Sequence, residues 1–288
     1  MILLSGLDDE YDGSFGSNYF DYYGEEERKA DYKVIEAKTV IKDIFTNDPD
    51  KVFYRKQLEV FLEKSFFHWI TAQAIKELVE EEFLLQEERL LYEPAGTKVS
   101  FIFSRKNRYY KRKIKKYLEI VKAYSNPSIS SACGEQAEIL FLNAFYRHGF
   151  RLISEDSNEF NGKKWEKTNH NLDFIIEKDN RVYGCEVKNT LAYIEKDELY
   201  IKLEICSYLQ VHPLFIMRFA PKTYINEIFK NGGYALIFET QIYPLGHEAL
   251  VTKIRETLGL PVICSKAIPE GIMNRFMKWH NSQNSCEF

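Results

Sequence analysis

The chain has 288 residues, 45% of them hydrophobic, and a formal net charge of -4 at pH 7. That supplies a sizeable core without disulfides or metals, which sets aside disordered, fibrous and disulfide-scaffold classes and leaves one large domain or two ordinary ones. The five cysteines, Cys133, Cys185, Cys206, Cys264 and Cys286, are scattered and include no C-x-x-C pair. Neither a disulfide framework nor a zinc site is expected, and reduced thiols fit a cytosol-like compartment.

The opening MILLSGL lacks a basic region, and no run of about 18 apolar residues follows it, so no signal peptide and no membrane partner are expected. A cytoplasmic or nucleoid-associated location follows. Charge is segregated along the chain. Asp8, Asp9, Glu10, Asp12, Asp21, Glu25, Glu26 and Glu27 follow one another with no base among them, whereas RKNRYYKRKIKK, residues 105–116, holds eight bases and no acid. One segment repels phosphate and the other attracts it.

Residues 1–31 combine those acids with Gly, Ser and aromatics, and read as a flexible acidic arm that could cover the basic segment when no polyanion is bound. Residues 32–104 form the next region. YKVIEAKTVIKDIF, RKQLEVFLEKS and HWITAQAIKELVEEEFL repeat apolar residues at helical spacing, and two extended runs around Pro94 and Gly96 read as a hairpin. Three helices and a hairpin is the order of a winged helix-turn-helix, with WITAQAIKELVEEE as recognition helix. The same order also describes a helical module that only docks or dimerises, and Glu77, Glu80, Glu81 and Glu82 weigh against base reading. Lys51, Arg55 and Lys56 weigh the other way.

Residues 105–127 read as a basic linker helix with Ile114, Leu118 and Val121 on its apolar side. Arg105, Lys106, Arg108, Lys111, Arg112, Lys113, Lys115 and Lys116, interleaved with Tyr109 and Tyr110, form either a solvated face or a surface that tracks nucleic-acid phosphates. From residue 128 to 245 the pattern becomes α/β: an apolar helix ending at Gly149, the strand FRLIS, two strands in LDFIIEKDNRVYGCEVK, a helix, and the strands PLFIMRF and YALIFE. Residues 246–288 read as a helical extension around LPVIC.

The strand pair carries charges where a sheet favours neutral side chains. Alternation places Glu186 and Lys188 on one face, with Tyr183, Cys185 and Val187 on the other. A tight turn at Asp179–Asn180 returns Asp173 to their side. On the preceding helix, Glu138 shares a stripe with Phe141, Leu142 and Phe145. Three acids converging at the edge of a core call for a divalent cation, and an oxygen-only donor set favours Mg2+ or Mn2+ over zinc. Glu135, one turn earlier, is the alternative helix acid. Taken alone, Glu186 and Lys188 are also an ordinary cross-pair on a half-exposed strand.

Asp173, twelve intervening residues, then Glu186-Val187-Lys188, preceded by the helix acid Glu138, resembles the PD-(D/E)XK nuclease superfamily, and residues 134–219 look most like archaeal Holliday junction resolvases. Leu172 stands where the family name has proline. The resemblance implies a restriction-endonuclease-like mixed sheet flanked by helices, beside the mainly α winged-helix domain. It also implies that Asp173, Glu186, the Val187 carbonyl and Glu138 hold Mg2+ or Mn2+, and that Lys188 orients and helps deprotonate the attacking water. Lys202 is expected to be exposed or to add a phosphate contact, and Arg218 to bind phosphate or pair with an acid. His148 and His170 are given no catalytic role.

The function expected from this is a metal-dependent endodeoxyribonuclease acting on double-stranded or branched DNA, with a homodimer left open. Two alternatives stand beside it: a structure-specific junction or repair nuclease, and a non-catalytic DNA-binding regulator with a nuclease-like fold.

Overall fold

The structure is a computed structural model that describes residues 26–92 and 96–284. The acidic arm lies outside these residues up to position 25; from Glu26 onward its end is helical, so the helix begins earlier than the composition suggests. The chain is mixed α/β and divides into two units, one reaching to Pro127 and taking in Thr252–Leu260, the other comprising Ser128–Val251 and the chain from Pro261.

The first unit runs α1 (Glu26–Asn47), β1 (Val52–Tyr54), α2 (Arg55–Leu62), α3 (His68–Glu80), β2 (Leu84–Leu90), β3 (Lys98–Ser104) and α4 (Tyr110–Tyr124). The strands form an antiparallel sheet in the order β1-β3-β2. Val34, Ala37, Ile41 and Phe45 recur at three and four along α1 and bury against Leu58, Ile70, Ala74, Leu78 and Ile102. Glu77 of α3 and Glu81 at its C-terminal cap are partly neutralised from α1. Lys38 pairs with Glu77 at 2.7 Å and also with Glu81, and Lys42 reaches Glu81 at 3.2 Å.

The basic segment is not one helix. Asn107 accepts a hydrogen bond from the Tyr109 amide and donates to the Asp50 carbonyl, which makes Arg105–Arg108 a turn before α4 starts at Tyr110. Tyr110 stacks on Phe103 of β3 with ring centroids 4.1 Å apart, so α4 packs within the first unit. Gln57 of α2 donates to the Leu258 carbonyl at 2.7 Å, tying the returning Thr252–Leu260 segment to the same unit.

The second unit opens with α5 (Pro127–Arg147), β4 (Arg151–Ser157), the small hairpin β5 (Glu159–Phe160) and β6 (Lys163–Lys164), β7 (Leu172–Lys178) and β8 (Arg181–Lys188). It continues through α6 (Lys196–Leu209), β9 (His212–Met217), α7 (Lys222–Lys230), β10 (Tyr234–Ile237), β11 (Gln241–Tyr243) and the start of α8 (Glu248–Lys253), and resumes, after the π-helical turn Ile254–Leu258 that belongs to the first unit, with β12 (Val262–Cys264) and α9 (Glu270–Asn284). The main sheet has the order β10-β9-β8-β7-β4, with the β4, β7 and β8 pairs antiparallel and the β8, β9 and β10 pairs parallel.

Asp179 and Asn180, at φ 51° and 61°, make the tight turn between β7 and β8, and Gly149 closes α5 at φ 80°. Ala137, Phe141 and Phe145 of α5 pack with Phe276 of α9 on the sheet face that carries Tyr183, Cys185 and Val187. The helix α9 of the C-terminal stretch therefore contributes to this core. Leu199 and Leu203 of α6 pack with Phe215, and Ile205, Cys206 and Leu209 pack with Leu172 and Ile175.

Gly184 sets how closely α6 approaches β8. A Cβ there would stand 2.7 Å from Leu172 Cδ1, 2.9 Å from Val211 Cγ2 and 3.0 Å from Cys206 Sγ. With hydrogen in its place, α6 settles on the strand two residues before Glu186.

Candidate active site

Phe174 of β7 pairs with Cys185 of β8, so the next rung toward the open end of this hairpin sets Asp173 opposite Glu186. On the other side of β7, Glu155 pairs with Phe174 and Ser157 with Leu172, which puts Asp156 of β4 on that same rung. The sequence alone misses Asp156 because SEDSN reads as a loop. The strand carries it through a register shift between Leu152 and Ser154, and Asp156 itself has φ 47°.

Glu186 is almost inaccessible, at 1% exposure. Its Oε1 lies 3.0 Å from Lys188 Nζ, and its Oε2 lies 2.5 Å from Nζ of Lys202 on α6. Each carboxylate oxygen is thus ion-paired to one ammonium. Lys188 also pairs with Glu198 of α6 at 2.8 Å. Glu198, Lys188, Glu186 and Lys202 thus form a chain of alternating charges.

The expectation that Lys202 is exposed is overturned. It is 4% exposed and donates to the Asn171 carbonyl at 2.5 Å. The sequence holds the signal for this: Lys202 lies three residues after Leu199 and four before Cys206, on the buried stripe of α6. Arg218 is buried as well. At 1% exposure it donates to the Thr190 and Leu191 carbonyls at 2.8 and 3.0 Å, fixing the chain just beyond Lys188. Buried Asn189 helps, donating to the Cys133 and Ile242 carbonyls at 2.8 and 2.6 Å.

Asp173 accepts a hydrogen bond from the Val187 amide on Oδ2 at 2.6 Å, while its Oδ1 has no partner among the described residues. Burial first, and the adjacent Glu186 charge second, push its pKa up to about 8 against the pull of Lys202, the Val187 amide and Lys188. Glu138 on α5 is half-buried and makes no hydrogen bond or ion pair among the described residues. Burial, then Asp156 and Glu186, raise its pKa. Glu135 is exposed and bonded to Ser131 at 3.1 Å, which leaves Glu138 as the acid facing this electrostatic neighbourhood.

Burial opposes the charge on Lys188, but Glu186 and Glu198 outweigh it and hold its pKa above the ordinary lysine value. In this arrangement Lys188 is an ammonium that donates and stabilises negative charge.

Asp173, Glu186, Glu138 and Lys188 therefore come to one end of the second unit, joined by Asp156, Glu198 and Lys202. Among the described residues no group of three His, Cys, Asp or Glu side chains is gathered closely enough to hold a metal ion by itself. Mg2+ is commonly held by one or two carboxylates, its other positions going to water and phosphate oxygens, so Asp173 and Glu186 are donors of the right number and hardness. The chemistry of the donors fits such an ion: Asp173 Oδ1 has no partner among the described residues, whereas the two Glu186 oxygens are ion-paired to Lys188 and Lys202 and would have to be shared with it.

The expected phosphate-binding bases all lie in the first unit. Arg105 pairs with Glu82 at 3.0 Å, and the Lys113 ammonium donates to the Asp50 carbonyl at 2.6 Å. Lys106, Arg108, Lys111, Arg112, Lys115 and Lys116 meet no acid among the described residues. No helix among the described residues is long and apolar enough to cross a membrane.

No protein-family model, curated protein or solved structure matches this chain.

Proposed function

We propose that this protein is a metal-dependent DNA endonuclease, its second unit a PD-(D/E)XK-type catalytic domain with a restriction-endonuclease-like sheet and its first unit a winged-helix-like module that grips the duplex. The observation that carries this reading is the rung on which half-buried Asp173 faces buried Glu186, with Lys188 ion-paired to Glu186. A structural sheet gains nothing from setting a half-buried carboxylate beside a buried one, and the cost of keeping both ionised falls when a cation is shared between them.

In this reading Asp173, Glu186 and the Val187 carbonyl hold Mg2+ or Mn2+, with Glu138 as a further ligand, direct or through water. The ion would stabilise charge on the attacked phosphate and lower the pKa of the attacking water. Lys188 donates toward the phosphate and orients that water. One P–O bond forms and another breaks, giving a phosphomonoester end and a hydroxyl end. The exposed bases of the first unit supply sequence-independent affinity by tracking phosphates. Double-stranded and branched DNA are both substrates in scope, and a homodimer would place two such sites on two strands.

A second reading, a DNA-binding regulator with a nuclease-like fold and no catalysis, is favoured by one observation. The chain of Glu198, Lys188, Glu186 and Lys202 is balanced in charge without a metal. The two readings are separated by incubating supercoiled, linear, single-stranded and branched DNA with the protein and Mg2+ or Mn2+, beside the Asp173→Ala and Lys188→Ala variants. Cleavage that disappears in both variants supports the first reading, and no cleavage of any substrate supports the second.

A further inference from the structure

Lys202 stands out in the second unit as a lysine that is nearly inaccessible and whose ammonium meets a carboxylate that is itself buried. Its placement is determined from three sides. Gly184 lets α6 sit close on β8, the Asn171 carbonyl accepts one of its hydrogens at 2.5 Å, and Glu186 Oε2 takes another side of the ammonium at 2.5 Å. It is also near enough to Asp173 for its charge to act on that carboxyl. A lysine loses hydration and side-chain freedom on burial, so this position is tenable only because of the acids it faces.

We propose that Lys202 is the resident cation of the acidic rung: it neutralises Glu186 when no metal is present, and a divalent ion must compete with it for that carboxylate. This rests on the metal-dependent reading above. A point charge on a flexible stem suits the role, because Lys202 can release Glu186 while keeping its bond to Asn171. Two cations that share one carboxylate oppose each other's binding, and such coupling is reciprocal. The wild-type site is therefore ordered without metal and takes up metal more weakly than its acids alone would.

The test is Mn2+ titration of the full chain without DNA, read by calorimetry and by the paramagnetic relaxation of water, for wild type, Lys202→Met and Lys202→Gln. Both variants are expected to bind Mn2+ more tightly than wild type, by about tenfold or more, within the range usual for coupled sites. They are also expected to gain more thermal stability from Mn2+ than wild type gains. Lys202→Gln keeps a donor for Asn171 and serves if Lys202→Met does not fold. Equal or weaker Mn2+ binding in the folded variants overturns the role of Lys202 while leaving the metal site standing. No Mn2+ binding to any of the three proteins overturns both.

Discussion

Lys202 on α6 and Glu186 on β8 meet at 2.5 Å with side-chain exposures of 5% and 2%, an ion pair buried on both sides. Glu186 is held on its other oxygen by Lys188, so one carboxylate offsets two ammonium groups. Removing it leaves Lys202 buried without its acid. Glu186→Ala is expected to lower unfolding stability by about 3–5 kcal/mol, the usual cost of breaking a buried pair from one side. Urea denaturation measures this, and a loss under about 1 kcal/mol, the size of a surface pair, would show that the carboxylate is solvated.

Gly184 gives a packing test of the same neighbourhood. A methyl group there must displace Leu172, Val211 or Cys206, whose atoms stand 2.7 to 3.0 Å from where it would lie. Gly184→Ala is expected to cost about 1–3 kcal/mol, as overpacked cores do. It should also make the amides around Leu172, Cys206 and Val211 exchange faster with solvent than those of α5, since these residues stand nearest the added methyl. Unchanged stability would mean that α6 does not rest on β8 as closely as the geometry requires.

This neighbourhood also shows what is legible in the sequence. The strand pair from Leu172 to Lys188 is readable because alternation and the Asp-Asn turn fix register within a few residues, and that register alone puts Asp173 opposite Glu186. Glu138 is readable from its place on an apolar helical stripe. Asp156 is not, because a register shift and a positive φ interrupt the alternation that would have extended β4 to it. Lys202 escapes because a lysine on an amphipathic helix is ordinarily solvated, and only the partner strand shows that its side of α6 is covered. The turn at Arg105–Arg108 is hidden because Asn107 commits its side chain to the local backbone and to Asp50, which comes from a distant part of the chain.

His280 on α9 ties the far end of the strand pair to the C-terminal helix. It contacts Tyr183 Oη at 2.7 Å and Asp179 at 3.1 Å, and it is wholly buried. Burial, only partly opposed by Asp179, holds its pKa below the ordinary 6.5. The folded state therefore favours the neutral ring, and the unfolded chain binds the extra proton. This contribution to stability is fully present above about pH 6.5 and declines as pH falls below it, with a slope of up to about 1.4 kcal/mol per pH unit. Thermal midpoints of wild type should fall from pH 7 to pH 5 more steeply than those of His280→Gln. Parallel curves would exclude His280 as the source.

For the first unit, the bases Lys111, Arg112, Lys115 and Lys116 of α4 meet no acid among the described residues, whereas Glu77 and Glu81 face Lys38 and Lys42. Replacing those four bases with Glu is expected to weaken binding to all duplex sequences alike, and to reduce the slope of log K against log salt by roughly 0.9 for each phosphate that is no longer neutralised. Binding measured in EDTA at several salt concentrations, with cleavage excluded, checks this. An unchanged slope would make the basic helix a solvated face.

The most direct measurement of the central reading is nicking of supercoiled DNA by wild type, Asp173→Asn and Lys188→Met in Mn2+ and in EDTA, with each variant's fold verified by circular dichroism. The expected result is nicking by wild type that requires Mn2+ and a loss of at least about a hundredfold in both folded variants, the scale on which a single electrostatic contributor to catalysis acts. Nicking that persists in Asp173→Asn or Lys188→Met, or that proceeds equally in EDTA, would contradict a metal site built on the rung of Asp173 and Glu186.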